Sequence, residues 1–400
     1  KMIFDGLSAV GDDPILRISI LYKADNNPNK VDLGVGVYKD ADGYTAILKS
    51  VKEAEQFLVN NQQSKGYLSP AGNPEFNKAV EELLFGKDHP VVKQGRVATM
   101  QAPGGTGSIR IGADFLKISH PDATVWISNP TWPNHFAITD MVGLKSKSYR
   151  YYDIKEGQFL FLEMLEDLKA AKEGDVVIVH GCCHNASGAD LSNDQWDQLA
   201  DFMAERKLVP FIDIAYQGFA NGVEEDAYAV RMMAEKLPEL LIASSYSKNF
   251  AMYRDRAGAI AVVSPTAQAN EINASHMLKI IRSIYSMPPD HGAAVVAHIL
   301  KDDSLRKQWY QEVDDMRGRV KKMRLLFVKK MTEKAPNSGF DYIVDQNGMF
   351  SFLTLLPEQI QTLINDYSIF MMANGRVNMA GLTENNIDYV TDSIASLFKA

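Results

Sequence analysis

Residues with the capacity for chemistry follow short apolar runs in this sequence. Asp213 ends the run Val209–Asp213, and Lys248 comes four residues after the run Leu240–Ser244. A carboxylate in apolar surroundings requires a cationic partner, whereas a lysine there has a lowered pKa and can act as an amine nucleophile. Arg256 is a second cation close by in the chain. The alternatives are a salt bridge or helix cap for Asp213 and a solvated surface position for Lys248.

A glycine-rich segment, Pro103–Ser108, precedes a stretch with helical spacing. Glycines let backbone N–H groups approach a ligand and a helix N-terminus favours an anion, so the segment is a candidate phosphate cradle. A tight strand-to-helix turn is the alternative. Arg110 stands where the third glycine of the dinucleotide pattern belongs, and no G-K-[ST] follows as in a P-loop. Nicotinamide and ATP chemistry are therefore disfavoured.

These features together match the requirements of one cofactor. Pyridoxal phosphate needs a lysine that forms a Schiff base, a phosphate site, and an acid that keeps the pyridine nitrogen protonated. Lys248, the glycine-rich segment with Arg256, and Asp213 meet these needs. Lys248 could also move the proton that leaves the substrate's α-carbon. The sequence thus predicts an enzyme that uses pyridoxal phosphate.

The elements that must position these residues form an alternating pattern from about residue 95 onward. Such alternation predicts an α/β fold with a mostly parallel sheet, in which ligands bind beyond the carboxyl ends of the strands. The candidate strands are Val97–Gln101, Thr124–Ser128, Val176–His180, Val209–Asp213, Leu240–Ser244 and Ala259–Val263. The candidate helices are Ser108–Ile118, Asn193–Arg206 and Ala227–Leu237, followed by a long charged helix, Gln308–Lys330, short strands around Met349–Leu353 and a closing helix. The C-terminal elements predict a smaller α+β layer.

Length and composition limit the class of protein. A chain of 400 residues exceeds the ~250–300 that one core fills, so two domains are expected. The net charge of −8 repels phosphate backbones and anionic lipids, so neither nucleic acid nor a membrane is expected as a partner. No apolar run approaches the ~18 residues of a membrane helix, and the first residues do not resemble a signal peptide. The only cysteines, Cys182 and Cys183, are adjacent and poorly placed to pair, which favours a cytoplasmic location.

Nearly the whole chain resembles the class I aminotransferases, in particular the aspartate and aromatic amino-acid aminotransferases. The segments that carry the resemblance are Val31–Lys39, Asn129–His135, His180–Asn185, Asp213–Phe219, Ser245–Phe250 and Gly375–Asn378. The resemblance implies a fold-type-I pyridoxal-phosphate transferase, with a seven-stranded sheet sandwiched by helices in a large domain and a smaller α+β domain. It implies an N-terminal arm at 1–14, a large domain at 46–314, and a small domain at 15–45 and 315–400.

The resemblance also implies a role for each matching position. Lys248, Asp213 and Tyr216 would be catalytic, and His135 would support Asp213 from behind. The cofactor would contact Gly105, Thr106, Trp132, Asn185, Asp213, Tyr216, Ser245, Lys248 and Arg256, together with Tyr67 from a second subunit of a homodimer. The substrate would contact Gly36, Trp132, Asn185, Arg376 and, from the second subunit, Arg282. No metal is implied.

Substrate choice depends on a few positions. Arg282 matches the family arginine that pairs with the side-chain carboxylate of aspartate, glutamate or a 2-oxo acid. Met287 stands where aspartate-specific relatives commonly have asparagine, and a thioether suits an aromatic ring better than an amide does. Gly66, which precedes Tyr67, likewise removes a polar side chain near the pocket. These residues predict an aromatic-amino-acid aminotransferase that also accepts aspartate and glutamate and passes the amino group to 2-oxoglutarate by a ping-pong mechanism. An aspartate-specific aminotransferase is the alternative.

Parts of the sequence are compatible with two other classes of protein. The segment His180–His184 could be a zinc cluster, although adjacent cysteines at so tight a spacing cannot readily surround one tetrahedral ion. The chain could also be a binding or regulatory protein without turnover. Retention of Lys248, Asp213, Arg282 and Arg376 together argues against that class.

Overall fold

The computed structural model describes residues 2–399 of the chain. Its β-strands are β1 Val31–Asp32, β2 Val97–Pro103, β3 Thr124–Asn129, β4 Lys145–Arg150, β5 Tyr152–Asp153, β6 Gln158–Phe159, β7 Val176–His180, β8 Val209–Ile214, β9 Leu240–Ser245, β10 Ala257–Val263, β11 Phe350–Phe352, β12 Ile369–Phe370 and β13 Arg376–Asn378. Its α-helices are α1 Pro14–Ala24, α2 Lys49–Asn61, α3 Pro74–Phe85, α4 Pro90–Lys93, α5 Gly104–Ser119, α6 Asn134–Val142, α7 Phe161–Leu168, α8 Asn193–Arg206, α9 Tyr228–Lys236, α10 Ala267–Ile284, α11 His291–Lys301, α12 Asp303–Lys334, α13 Pro357–Tyr367 and α14 Ile387–Ser396.

Within residues 2–399, a central sheet of seven strands has the order β2-β10-β9-β8-β7-β3-β4. Every neighbouring pair is parallel except the two that involve β10, which runs against both β2 and β9. The predicted α/β class and the mostly parallel seven-stranded sheet are therefore confirmed. The carboxyl ends of β2, β3, β7, β8 and β9 share one edge, and β10 begins there because Ala257 pairs with Pro103.

Helices cover both faces of the central sheet because successive strand residues point to opposite sides. In β7, Val177 and Val179 pack into one hydrophobic cluster, whereas Val176 and Ile178 pack into the other. The first cluster includes residues of α3, α8, α9 and α11, and the second includes residues of α5, α6 and α10. All of β7, β9 and β10 is buried, as expected for strands that are covered on both faces.

The predicted elements are present with small shifts at their ends. The helix predicted over Asn193–Arg206 is α8, whose start is defined by a capping box between Ser192 and Gln195. The strand predicted over Val97–Gln101 extends to Pro103, so α5 begins directly at Gly104. The long helix α12 starts five residues earlier than predicted, where the carboxylate of Asp302 accepts a hydrogen bond from the amide of Leu305 at 2.9 Å.

Elements from both halves of the sequence meet beside α12. Strand β1 pairs in parallel with β12, and β11 pairs in antiparallel fashion with β13. Residues of α12 with helical spacing, including Trp309, Val313, Val320 and Phe327, are buried in the larger hydrophobic cluster. This packing brings the segment that follows β1 next to β13, which carries Arg376. Across the described part of the chain, no helix is both long and apolar enough to span a membrane.

Candidate active site

A cavity of about 200 Å³ opens at the carboxyl edge of the central sheet. Its lining contains most of the residues that the sequence predicted as site residues. Those residues are Gly36, Gly105, Thr106, Trp132, Asn185, Asp213, Tyr216, Ser245, Lys248, Arg256 and Arg376. The fold therefore brings together side chains that are as far as 340 positions apart in the sequence, as the strand-end argument predicted.

Lys248 lies just beyond β9, with its Nζ 5.1 Å from the centre of the Tyr216 ring. Burial lowers the pKa of this amine, and the nearby charge of Arg256 lowers it further, although Asp213 opposes the shift. A lysine in this environment spends more of its time neutral than an exposed lysine does. Only the neutral amine can attack a carbonyl or accept a proton.

Asp213, near the end of β8, receives a hydrogen bond from His135 Nε2 to its Oδ2 at 2.7 Å. Burial acts to raise the pKa of the carboxyl group, but the hydrogen bond from His135, together with the nearby Lys248, outweighs it, so the pKa is lowered. The group is therefore an anion at neutral pH. A buried anion at this edge fits a protonated pyridine nitrogen.

A chain of hydrogen bonds extends behind Asp213. The hydroxyl of Thr131 lies 2.7 Å from His135 Nδ1 and 3.2 Å from His180 Nε2, and the amide of Asn185 donates to His180 Nδ1 at 3.3 Å. Burial, with the nearby His184 and His135, holds the pKa of His180 well below its ordinary value, so the ring is neutral. Neither Thr131 nor His180 was predicted as a site residue, although both belong to the segments Asn129–His135 and His180–Asn185 that carry the family resemblance.

The glycine-rich turn, the end of β9 and Arg256, which directly precedes β10, enclose a compact cradle. Gly104 has φ +75°, and a Cβ added there would lie 2.5 Å from Arg256 Nη2. A Cβ added to Gly105 would lie 3.3 Å from Ser245 Cβ. Only a backbone without larger side chains leaves room here for a group held by the guanidinium, the Ser245 hydroxyl and the start of α5. A helix N-terminus next to an arginine suits a phosphate dianion. The residues present thus fit the phosphate of pyridoxal phosphate.

Arg376 reaches the cavity from β13. Its guanidinium lies 4.4 Å from the centre of the Phe350 ring, and its Nη2 donates to the carbonyl of Gly34 at 2.8 Å. Its Nε is buried and has no hydrogen-bond partner among the described residues. Burial lowers the pKa of this arginine, but an arginine stays protonated in proteins. A carboxylate ligand would satisfy this buried donor.

The lining also contains apolar residues that were not predicted from the sequence, among them Ile15 and Phe350. Ile15 belongs to α1, which has no buried residue, and Phe350 begins β11. The Phe350 ring is perpendicular to that of Tyr216, at 6.3 Å between centres. Apolar side chains carry no chemical signature, so only the tertiary structure identifies them.

Tyr67 and Arg282 lie outside the cavity of the described chain, and both are exposed. Tyr67 is 94% exposed, and Arg282 Nη1 donates to the Ser286 hydroxyl at 2.9 Å. The two residues sit on neighbouring segments, because the amide of Leu68 contacts the Met287 sulfur at 3.2 Å. Met287 therefore contacts the neighbour of Tyr67 and follows Arg282 by five positions in the chain.

The segment His180–His184 has no geometric support as a zinc cluster. Within residues 2–399, no three histidine, cysteine or acidic side chains are placed to hold a metal ion together. His184 instead bonds to the hydroxyls of Ser128 at 3.0 Å and Ser187 at 2.7 Å. Burial and the nearby His135 lower its pKa to about 3, which leaves the ring neutral.

Comparison with known proteins agrees with this geometry. The family model for aminotransferase class I and II matches residues 28–394. The aspartate aminotransferase of Haemophilus influenzae is 45% identical over 395 residues, which cover 99% of this chain and 100% of that protein. The aromatic-amino-acid aminotransferase of Burkholderia pseudomallei, solved covalently bound to pyridoxal phosphate, has a TM-score of 0.98 and 39% identity, with 100% of both chains covered.

A further solved structure is similar over the full length. The psychrophilic aromatic amino acid aminotransferase of Psychrobacter sp. B6, cocrystallised with aspartic acid, has a TM-score of 0.97 and 41% identity, again with 100% of both chains covered. The family, the aminotransferase activity and the pyridoxal-phosphate cofactor predicted from the sequence are confirmed. This chain belongs to the class I and II aminotransferase family.

Proposed function

We propose that this enzyme transfers the α-amino group of aromatic amino acids, and also of aspartate and glutamate, to 2-oxoglutarate. The observation that carries the proposal is the convergence of Lys248, Asp213 and Arg376 on one cavity. These are an amine with a lowered pKa, a buried carboxylate, and an arginine with an unsatisfied donor. An amine-exchanging enzyme needs all three.

When bound, pyridoxal phosphate supplies an aldehyde that condenses with amines and a ring that accepts electrons from the substrate's α-carbon. Asp213 would hold a proton at the pyridine nitrogen, with His135 fixing the carboxylate. Lys248 would carry the proton to and from the α-carbon. Burial keeps the pKa of Tyr216 above its ordinary value, so its phenol donates a hydrogen bond at neutral pH.

The remaining lining residues would orient the cofactor and the substrate. Asn185 and Tyr216 would form hydrogen bonds with the phenolic oxygen of the cofactor, and Trp132 would cover the cofactor ring. The cofactor phosphate would be held by Gly105, Thr106, Ser245 and Arg256. Arg376 would bind the substrate α-carboxylate with Gly36 alongside, because its planar fork matches a carboxylate in a way that lysine does not.

Acceptance of both substrate types rests on Arg282 and Met287. The Arg282 guanidinium would pair with a side-chain carboxylate, and the thioether of Met287, five positions further along the chain, would offer an adaptable apolar contact for a ring. The similar proteins include aspartate and aromatic-amino-acid aminotransferases, and one of the aromatic enzymes was crystallised with aspartic acid. An aspartate-specific enzyme remains the second candidate, favoured by the 45% identity with the H. influenzae aspartate aminotransferase.

The active unit would be a homodimer in which Tyr67 and Arg282 complete the site of the other subunit. Their exposure on adjacent segments, linked through Leu68 and Met287, supports this arrangement. An apolar N-terminal arm supports it as well, because a second copy would cover such side chains. The exposed apolar residues of the arm are Met2, Ile3, Phe4, Leu7 and Val10.

The proposed domain division places 46–314 around the central sheet and joins 15–45 to 315–400, with 1–14 as the arm. The pairing of β1 with β12 supports the joining of the two chain ends. A cytoplasmic location is supported by the cysteines, because within residues 2–399 Cys182 and Cys183 are buried with free thiols.

The test is spectroscopic and kinetic. Purified enzyme should show the visible absorption of bound pyridoxal phosphate, and phenylalanine or aspartate should discharge it while 2-oxoglutarate restores it. Lys248→Ala should abolish the discharge and the turnover, whereas Lys155→Ala, at an exposed position, should retain both. A wild-type enzyme that binds no pyridoxal phosphate, or that turns over neither substrate, overturns the proposal.

A further inference from the structure

The backbone segment 34–38 runs over the cavity and is held mainly from one side. Arg376 Nη2 donates to the Gly34 carbonyl at 2.8 Å, and Asn378 Nδ2 donates to the carbonyls of Val35 and Val37 at 2.9 and 2.8 Å. All of these donors lie on β13. The segment is therefore attached to β13 and to the arginine expected to bind the substrate carboxylate.

One bond connects this segment to the other side of the cavity. The amide of Tyr38 donates to the phenol oxygen of Tyr253 at 2.8 Å. Among residues 2–399, this is the only hydrogen bond between segment 34–38 and residues 46–314. Burial raises the pKa of Tyr253 to about 12, so its oxygen is a neutral acceptor across the physiological range.

Tyr253 also belongs to the turn that carries the proposed phosphate ligand. Its own carbonyl accepts a hydrogen bond from Arg256 Nη1 at 2.9 Å. On the other side, the Tyr38 ring is 8% exposed and lies between Phe219, at 6.5 Å between ring centres, and the Arg319 guanidinium, at 5.4 Å. Because the packed side chain of Tyr38 restricts the backbone at this residue, its amide would have no hydrogen-bond acceptor without the Tyr253 hydroxyl.

We propose that Tyr253 is a positioning residue that connects segment 34–38 to the turn that carries Arg256. Through this connection, the phosphate side of the site fixes the position of the Gly34 carbonyl and thereby the orientation of the Arg376 guanidinium. Loss of this tie releases the Gly34 carbonyl and, with it, one of the contacts that orient the Arg376 guanidinium. The effect on ligands rests on the proposed function, in which Arg376 binds a carboxylate. The tie itself is a property of the fold and does not depend on that function.

The test removes one oxygen and leaves the ring in place. In Tyr253→Phe holoenzyme, hydrogen–deuterium exchange at the Tyr38 amide should be at least about tenfold faster than in wild type, because its bond is lost. The dissociation constant of 3-phenylpropionate, a non-reacting carboxylate, should rise about three- to tenfold, the range expected for one hydrogen bond. Cofactor retention on dialysis should stay unchanged, because the backbone bond to Arg256 remains.

Tyr38→Phe is the matched control, because it removes a hydroxyl from the same segment but keeps the amide. Within residues 2–399, the hydrogen-bond partner of that hydroxyl is Arg319, at 3.2 Å, and both residues lie in 15–45 and 315–400. The control should leave exchange at the Tyr38 amide and the affinity for 3-phenylpropionate within about twofold of wild type, since the tie is intact. Unchanged amide exchange in Tyr253→Phe, or equal losses in both variants, overturns the proposal. A failure of the proposed function is distinguishable, because the exchange measurement requires no turnover.

Discussion

The imidazole Nε2 of His135 lies 2.7 Å from the carboxylate Oδ2 of Asp213, and the side chain of His135 is entirely buried. The pair joins the first turn of α6 to the end of β8. Burial alone would raise the pKa of Asp213, so this bond is the main reason that the carboxyl group stays ionised. The negative charge proposed to face the pyridine nitrogen therefore depends on a residue that is not part of the cavity lining.

Replacement of His135 should make the enzyme sensitive to acid. In wild type the pKa of Asp213 is below its ordinary value, so the anion persists until the pH falls through that lowered value. In His135→Asn the Asp213 carboxyl stays buried but loses the hydrogen bond from the imidazole, so its pKa should rise. The acidic limb of the kcat/KM profile should therefore move upward by about one to two pH units. His276→Asn, at an exposed position, should leave the profile unchanged. Superimposable profiles for His135→Asn and wild type would contradict this role.

The buried amine of Lys248 should destabilise the protein without cofactor at low pH. A lysine whose pKa is lower in the folded than in the unfolded state binds fewer protons when folded, so stability rises as the pH rises through the folded pKa toward the ordinary value. Cofactor-free Lys248→Met should therefore unfold at higher urea concentration than wild type at pH 7, and the difference should shrink toward pH 9.5. Lys155→Met is the control with no such trend. A difference that grows with pH would disprove the assignment.

Much of the fold could be predicted because its strands are apolar runs with little ambiguity. Strand β4 was not among the predicted strands, since Lys145–Arg150 alternates charged residues with serine at the edge of the sheet, where one side of the ladder is unpaired. The reversed direction of β10 also has no local signal. The direction of β10 depends on the path of the chain through residues 246–256, and the residue types of the run Ala259–Val263 contain no information about that path.

The site could be predicted where chemistry restricts the residue type, as at Lys248 and Asp213. Its supporting contacts could not, because they join distant segments through common groups. The Tyr38 amide and the Tyr253 phenol are separated by 215 positions, and a backbone N–H is present at every residue except proline. Similarly, Phe350 reaches Arg376 only through the pairing of β11 with β13.

Met287 should bias substrate choice toward aromatic amino acids. Met287→Asn replaces a thioether by an amide, so a ring would lose an apolar contact while a dicarboxylate would gain a hydrogen-bond donor. The ratio of kcat/KM for phenylalanine to that for aspartate should fall about tenfold, a typical value for one altered pocket contact. Met141→Asn, at a position that is 78% exposed, serves as the control. An unchanged ratio would remove Met287 from the specificity argument.

Mixing two variants that are each inactive with aspartate should restore aspartate turnover if each site is built from two chains. Lys248→Ala removes the amine, and Arg282→Ala removes the guanidinium proposed to reach the other subunit. In a hybrid dimer, one site would combine the Lys248 of one chain with the Arg282 of the other and so be intact, while the second site would lack both. Random assortment makes about half of the dimers hybrid, so aspartate turnover should recover to about one quarter of wild type after the mixture is dissociated and reassociated. Phenylalanine, which has no side-chain carboxylate, should be turned over by Arg282→Ala alone. A mixture no more active with aspartate than its parts would contradict the shared site, because an Arg282 that acts within its own chain leaves both sites of the hybrid defective.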